Sequence, residues 1–234
     1  MKRNLRAFLC LGMLGVALPW LAGCGGDSSD STGASDTAAA NSTDSASTDT
    51  NSMTDTSGTL PHFPDGLHPD DTGSAMIAAA FNDRISRSPA GIGDNNPNVI
   101  VCLGDSITSA GYPGFLAGMT GKTCVNEGGL GEDSGRGANR AASVLDAYHP
   151  AYLCIMYGSN DVHSHYSFDS VISHLAAIIA TAREHNTIPI LATIPPMSGP
   201  RLGGLEGDVR QLNNMIRSLA ASTGTALADV EREF

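Results

Sequence analysis

Residues 60–234 alternate short apolar runs with longer amphipathic segments, and this pattern most narrows the folds open to the chain. Short, largely apolar runs are typical of strands buried on both faces. Five such runs lie at 99–103, 123–126, 152–157, 188–194 and 225–230. Apolar residues at helical spacing predict helices at 72–86, 112–119, 134–148, 168–185 and 205–221. Such alternation predicts a parallel sheet with helices on both faces, in which polar chemistry lies beyond the carboxyl ends of the strands.

The N-terminus has the composition of an export signal. Residues 1–23 carry three basic side chains near the start and then an almost wholly apolar stretch, 7–21, which is too short for a comfortable membrane span. The stretch leads into Leu21-Ala22-Gly23-Cys24, which resembles a bacterial lipobox. We therefore expect a lipoprotein signal peptide at 1–23 and a lipid on Cys24 that anchors the protein in a membrane. Gly25 favours the outer membrane or the cell surface over the inner membrane; the alternative is a plain secretory signal followed by an unmodified cysteine.

A polar segment separates Cys24 from the predicted folded region. Residues 27–59 are rich in Ser, Thr, Asp and Ala, contain six acidic residues, and lack aromatic residues, Lys and Arg. Such a segment cannot bury enough apolar surface to offset the entropy of ordering. Residues 24–59 are therefore predicted to be a lipidated cysteine followed by a disordered tether. The remaining segment, 60–234, is long enough for one domain with its own core.

The predicted domain is acidic, with ten Lys and Arg residues against eighteen Asp and Glu residues. Nucleic-acid binding requires clustered positive charge, so no nucleic-acid partner is expected. Three cysteines of this domain, Cys102, Cys124 and Cys154, lie in apolar, strand-like runs. We expect buried structural thiols, although a Cys102–Cys124 disulfide stays open. The spacing of these cysteines does not match a zinc site, and no metal or cofactor is expected.

Polar residues follow three of the predicted strands. Ser106 comes just after the first strand at the start of a helix, where its backbone N–H points outward and favours a developing anion. A glycine-rich loop after the second strand, 126–131, and Asn160 after the third can supply further donors, and together these form an oxyanion site. Upstream, the pattern Asp65-x-x-His68 places a carboxylate where it can hold the imidazole in one tautomer. The other imidazole nitrogen is then left to accept a proton from serine.

These segments resemble the sequence blocks of SGNH (GDSL) hydrolases. Gly104-Asp105-Ser106-Ile107 is similar to the first block, and Gly128 matches the glycine of the second. Gly158-Ser159-Asn160-Asp161 is similar to the third block, and Asp65-Gly66-Leu67-His68-Pro69 is similar to the last, Asp-x-x-His. The resemblance covers essentially all of 60–234. It implies a flavodoxin-like αβα sandwich with about five parallel strands.

The order of the blocks departs from the family. There the Asp-x-x-His block lies at the C-terminal end before a final helix, whereas here it precedes the first strand and is followed directly by the helix at 72–86. A linker rich in Pro, Gly and Asn, 88–98, then leads into the first strand. This order indicates a circularly permuted domain with new termini after the fifth strand, a change that is tolerable because domain termini often lie close together. The rival interpretation is a truncated enzyme with a chance Asp-x-x-His upstream.

The resemblance implies a role for each candidate residue. Ser106 is the nucleophile, His68 the general base, and Asp65 the group that orients His68. The backbone N–H groups of Ser106 and Gly128 and the side chain of Asn160 form the oxyanion hole. The expected function is hydrolysis of short acyl esters, mainly acetyl esters of small molecules or carbohydrates, through an acyl-serine. The alternatives are an O-acyltransferase that uses the same triad and a non-catalytic surface lipoprotein that acts as a binding module.

Overall fold

The computed structural model describes residues 60–199 and 204–234. The helices are α1 Asp71–Ser86, α2 Ser106–Ser109, α3 Tyr112–Thr120, α4 Ser134–Tyr148, α5 Ser159–His163, α6 Phe168–Glu184 and α7 Glu206–Thr223. The strands are β1 Asn96–Gly104, β2 Thr123–Gly128, β3 Pro150–Met156, β4 Ile188–Ala192 and β5 Ala226–Ala228. The predicted signal peptide (1–23), the lipidation site Cys24 and the tether (24–59) lie outside the described residues and stay predictions. Within the described part, no helix is both long and apolar enough to cross a membrane.

The five strands form one parallel sheet in the order β2-β1-β3-β4-β5. This topology confirms the predicted fold class. Every residue of β3 is buried, which explains why this strand is a continuous apolar run in the sequence. In a sheet of this order, the crevice for ligands opens beyond the carboxyl ends of β1 and β3, where the strand order reverses.

Helices cover both faces of the sheet. Val101 and Leu103 of β1 belong to the core beneath α4, α6 and α7, whereas Ile100 and Cys102 belong to the core beneath α1 and α3. Successive side chains of a strand point to opposite faces, so one strand contributes to both cores. The result is the three-layer sandwich that the alternating sequence pattern predicts.

The end of the sheet differs from the sequence prediction. A strand was expected over 225–230, but β5 is only Ala226–Ala228 and a 3-10 helix, Val230–Glu233, follows it. Asp229 lies between the two elements, and its carboxylate binds the guanidinium of Arg217 on α7 at 2.6 and 3.0 Å. The apolar pattern could not show this ion pair.

The three cysteines in the described part are free thiols. Cys102 and Cys154 are buried and lie in register on the adjacent strands β1 and β3. Cys124 on β2 is half-buried. The structure therefore has no Cys102–Cys124 disulfide, and two of the three thiols are core residues as expected.

Candidate active site

The carboxyl ends of three strands meet at one edge of the sheet. Gly104, the last residue of β1, is in register with Gly128 at the end of β2 and with Met156 at the end of β3. The backbone is crowded at this point, because a Cβ at Gly104 would lie 2.0 Å from Thr108 Oγ1 and 2.7 Å from Met156 O. The loops that follow β1, β2 and β3 therefore start side by side.

Ser106 occupies the first position of the single-turn helix α2. Asp105 caps this helix, since its Oδ1 accepts a hydrogen bond from the backbone N–H of Ile107 at 2.9 Å. As the first helical residue, Ser106 has no acceptor for its own N–H inside the helix. Ser106 is half-buried. The segment Gly-Asp-Ser thus presents a hydroxyl and a backbone donor from the same residue.

Asp65 holds His68 in one orientation. Asp65 Oδ1 accepts from the backbone N–H of Leu67 at 2.9 Å and of His68 at 2.6 Å, and its Oδ2 lies 2.7 Å from His68 Nδ1. Partial burial raises the pKa of Asp65, but these hydrogen bonds outweigh it and lower the pKa to about 2. The carboxylate is therefore ionised at neutral pH and favours the tautomer with the proton on Nδ1, which leaves Nε2 as an acceptor.

His68 in turn reaches Ser106, with Nε2 3.0 Å from Ser106 Oγ. The chain direction that makes this possible depends on Gly66, whose φ is +81°. A Cβ at Gly66 would lie 1.8 Å from Ser198 O, and Gly66 O accepts a hydrogen bond from the Ser198 N–H at 2.9 Å. The structure thus brings Asp65, His68 and Ser106 into one continuous hydrogen-bond chain.

Asn160 lies in the single-turn helix α5, directly after β3. Its Nδ2 donates to Glu132 O at 3.0 Å, which orients the amide and leaves the second Nδ2 hydrogen available. The neighbouring Asp161 accepts from the backbone N–H and the hydroxyl of Ser134, at 3.0 and 2.7 Å. These contacts tie the Asn160 loop to the start of α4.

The glycine-rich turn, residues 128–131, differs from the sequence prediction at Gly128. The Gly128 N–H donates to Asn126 Oδ1 at 3.0 Å, so it is already engaged. The Gly129 N–H donates to Gly104 O at 2.9 Å. Gly131 has a φ of +65°, and its N–H has no acceptor among the described residues. The Leu130 N–H likewise has no acceptor among the described residues, so the donors available in this turn are those of Leu130 and Gly131, and the Gly128 N–H is not one of them.

Residues 102–234, more than half of the chain, match the family model of the GDSL-like lipase/acylhydrolase family. The chain belongs to this family. It is accordingly a carboxylic ester hydrolase by class, as its sequence blocks predict. The matched segment contains Ser106 and Asn160, and it begins after Asp65 and His68.

Solved structures of other GDSL hydrolases have a similar fold. The acetyl xylan esterase AlAXEase is 24% identical, with a TM-score of 0.52, over 58% of this chain and 78% of that chain. A GDSL-like lipase from Bacteroides thetaiotaomicron is 18% identical, with a TM-score of 0.50, over 65% of this chain and 77% of that chain. These likenesses show the shared fold. A comparison with curated proteins finds no match.

Two buried carboxyl groups, those of Asp105 and Asp161, lie near Ser106 in this GDSL hydrolase. Asp105 is 1% exposed. Burial raises its pKa to about 7; the Ile107 N–H opposes this rise, and the charge of Asp161 adds to it. Burial also raises the pKa of Asp161, against hydrogen bonds from Ser134. The cap of helix α2 therefore changes its charge near neutral pH.

His163 and His165 follow Asn160 in the sequence and invite comparison with a metal site. Both are exposed in the structure. Among the residues that the structure describes, no group of three or more His, Cys, Asp or Glu side chains could hold a metal ion. His163 ends helix α5, His165 follows it in the next loop, and both side chains face solvent.

Proposed function

We propose that this GDSL hydrolase cleaves short-chain acyl esters, above all acetyl esters, through an acyl-serine intermediate. The observation that carries the proposal is the Asp65–His68–Ser106 hydrogen-bond chain. Ser106 Oγ attacks the ester carbonyl carbon while His68 Nε2 accepts the hydroxyl proton and then passes it to the leaving alcohol. A water molecule, deprotonated by His68, then attacks the acyl carbonyl, and the carboxylic acid leaves Ser106.

The oxyanion that forms in each step requires donors placed in advance. We assign this role to the backbone N–H groups of Ser106 and Gly131 and to the Asn160 side chain. Gly131 replaces Gly128, the glycine expected from the sequence blocks, because the Gly128 N–H is bound to Asn126 Oδ1. Fixed donors of this kind stabilise developing charge without reorganising during the reaction.

Acetylated carbohydrates are the first substrate class to test. The turn around the assigned donors is built largely from glycine, and we take its lack of large side chains to favour a short acyl group on Ser106. A structural neighbour with a TM-score of 0.52 is an acetyl xylan esterase, which gives a concrete polymer to start from. Small-molecule acetyl esters share the acyl group and serve as reference substrates.

The proposal is tested by hydrolysis of p-nitrophenyl acetate, p-nitrophenyl butyrate and acetylated xylan by the wild type, Ser106→Ala and His68→Ala. Removal of either residue is expected to lower kcat by at least about 10,000-fold, because the triad acts as a unit. Acetate is expected to be the better p-nitrophenyl ester. If His68→Ala kept the wild-type rate, the base would have to be another residue and the assignment would be wrong.

We also propose that the domain is circularly permuted. Three observations support this proposal. The segment that carries His68, residues 60–70 (the base segment), precedes Ser106 in the chain. The family match starts at residue 102, and α1 packs against β5 and the 3-10 helix. The rings of Phe63 and Phe234 lie 4.8 Å apart, so the chain after β5 meets the segment that leads to His68. A protein with 60–95 moved behind residue 234 through a short linker should fold and retain its turnover. Loss of the fold in that variant would count against permutation.

We further propose that Cys24 carries a lipid and that the protein is anchored in the outer membrane or at the cell surface. The tether of 36 residues at 24–59 would span about 30–36 Å as a flexible chain. Because Leu60 lies five residues before Asp65, the tether enters beside the base segment and would keep the catalytic edge near the membrane. Cys24→Ser should abolish palmitate labelling and release the protein from membranes. An unchanged membrane fraction for that variant would contradict the anchor.

A further inference from the structure

Arg140 of helix α4 binds both ends of the glycine-rich turn. Its Nη1 donates to Glu127 Oε2 at 2.8 Å and its Nη2 to Glu127 O at 2.5 Å, before the turn. Its Nε donates to Glu132 Oε1 at 2.6 Å, after the turn. Nη2 also donates to Tyr157 Oη at 3.1 Å. One guanidinium therefore binds both residues that flank the turn, Glu127 and Glu132.

The turn needs such an external restraint because of its composition. Three of its four residues, Gly128, Gly129 and Gly131, are glycine, and the fourth, Leu130, is 81% exposed. Glycine loses more conformational freedom on ordering than any other residue, so this turn is costly to hold in one shape. Glu132 contributes directly, since a Cβ at Gly129 would lie 1.7 Å from Glu132 Oε2. The carboxylate that Arg140 holds thus lies against the backbone of the turn.

The same glutamate also holds Asn160. Glu132 O accepts the hydrogen bond from Asn160 Nδ2 at 3.0 Å, while its carboxylate binds Arg140. The Glu132 side chain is 10% exposed, which protects this ion pair from solvent. A shift of Glu132 would therefore move the side-chain donor and the turn together.

We propose that Arg140 is a positioning residue for the oxyanion hole, acting through Glu127 and Glu132 on the Gly131 N–H and the Asn160 amide. This inference rests on the proposed esterase function, and Arg140 itself touches neither the substrate nor Ser106. Only arginine fits the role, because its planar fork offers five donors and can serve two carboxylates, a carbonyl and a phenol at once. A lysine at this position keeps the charge and cannot make all four contacts.

The test uses Arg140→Lys beside a matched control, Arg217→Lys. Arg217 is 23% exposed against 26% for Arg140, and it too binds two carboxylates, those of Asp229 and Glu231, each at 2.6 Å. Both substitutions remove comparable ion-pair geometry from a half-buried arginine. Only the first touches the glycine-rich turn, so the pair separates positioning from general stability. Glu132→Gln is a milder second variant that keeps an acceptor for Arg140 and the carbonyl for Asn160.

Two readouts are measured well below the unfolding temperature: kcat and KM for p-nitrophenyl acetate, and the NMR order parameters of the Leu130 and Gly131 amides. Because a misplacement of about 1 Å can cost about 100-fold in rate, Arg140→Lys is expected to lower kcat about 10- to 100-fold with KM changed less than about threefold. Its Leu130 and Gly131 order parameters should fall. Glu132→Gln should show a smaller loss of the same kind, and Arg217→Lys should change neither readout.

The inference is overturned if Arg140→Lys changes stability as Arg217→Lys does and leaves kcat at the wild-type value. It is equally overturned if the order parameters of the turn stay unchanged, a result that does not require an active enzyme. If the wild type were inert but Arg140→Lys still lowered the order parameters of the turn, the proposed esterase function would be rejected. Arg140 would then still be shown to restrain the turn. The two proposals therefore fail in distinguishable ways.

Discussion

The two halves of the site are held in different ways. The nucleophile and the oxyanion donors follow strands of the sheet, and their anchors are buried, as with Asp105 at 1% exposure. The base comes from a segment outside the sheet, in which the side chains of His68 and Asp65 are 39% and 56% exposed. This segment is ordered by hydrogen bonds among its own residues and by its contact with Ser198.

Because of this difference, substitutions in the two halves are expected to affect stability and turnover differently. Around Ser106 and Asn160, the residues that hold the proposed oxyanion donors, such as Asp105 and Glu132, are buried, so substitutions there are expected to affect stability as well as turnover. Around His68, the orientation of the imidazole depends on the Asp65 carboxylate, whereas the buried Phe63 packs the segment onto the domain. A substitution of Asp65 can therefore remove function while the fold stays intact. The variants below test that contrast.

Asp65→Asn should show the contrast at its largest. Asparagine can still accept the hydrogen bonds from the Leu67 and His68 N–H groups, so the unfolding temperature should change little. It cannot hold the His68 tautomer, and kcat is expected to fall by about 10,000-fold, as with other triads that lose this carboxylate. Steady-state kinetics and thermal unfolding of the same preparation measure both effects.

Asp70→Asn is the matched control for that variant. Asp70 also pairs with a histidine, His62, at 3.5 Å, and it caps α1 through the Gly73 N–H at 2.8 Å. Asparagine is an equally good helix cap, so stability and turnover should both stay near wild type. A similar loss of turnover in both variants would show that the negative charge of the segment matters, and that the Asp65–His68 contact does not.

Asn160→Ala tests the half of the site that follows the strands of the sheet. Loss of one oxyanion donor is expected to lower kcat about 100- to 1,000-fold, with a smaller change in KM. Asn95→Ala is the control, because Asn95 bridges Pro150 O, His185 O and Thr187 at the other edge of the sheet. Asn95→Ala should lower the unfolding temperature and leave kcat unchanged. Equal kcat values for Asn160→Ala and the wild type would remove Asn160 from the oxyanion hole.

Gly66→Ala should move the base segment without touching a reacting atom. The added Cβ would meet Ser198 O at 1.8 Å, and the positive φ adds about 1–3 kcal/mol of strain. We expect kcat to fall about 10- to 100-fold as His68 shifts away from Ser106. Gly114→Ala is the control, since nothing lies within 4 Å of a Cβ there and helix α3 should become slightly more stable. A Gly66→Ala enzyme with normal turnover would show that the segment can adapt.

Asp105→Asn has the smallest expected effect on turnover and a clear effect on stability. The pKa of Asp105 is raised to about 7 in the folded protein, from 3.8. The folded state therefore binds the proton more tightly, and wild-type stability falls as the pH rises from about 4 to about 7. Asparagine does not titrate, so the stability of the variant relative to the wild type should rise over that interval by up to a few kcal/mol. Unfolding at several pH values measures the difference; a constant difference would contradict it.

Most of the fold could be predicted from the sequence because β3 and the last five residues of β1 are buried and leave a strong apolar pattern. Ser106, Asn160 and His68 were predicted from short sequence blocks, and the structure places Ser106 after β1, Asn160 after β3 and His68 within hydrogen-bond distance of Ser106. The assignment of Gly128 conflicts with one contact that the sequence does not show, since Asn126 Oδ1 accepts the hydrogen bond from the Gly128 N–H. Periodicity carries no information about such a contact.

The role proposed for Arg140 could not be predicted from the sequence. Its two glutamate partners are separated from it by 8 and 13 positions, and only the turn after β2 brings all three together. A positively charged residue on the polar side of a helix gives no sign of this arrangement. The ion cluster is therefore a property of tertiary structure, which a single sequence does not display.

The independence of the base segment has a use in protein engineering. Residues 87–95 connect α1 to β1, and a cut there would leave one fragment with the complete sheet and no base, and another with the base and no sheet. The small fragment would still carry Phe81, which stacks on Tyr112 of the large fragment with ring centroids 5.2 Å apart. Ester hydrolysis would then report the reassembly of the two pieces, which makes this fold a candidate two-part sensor for proteins fused to each half.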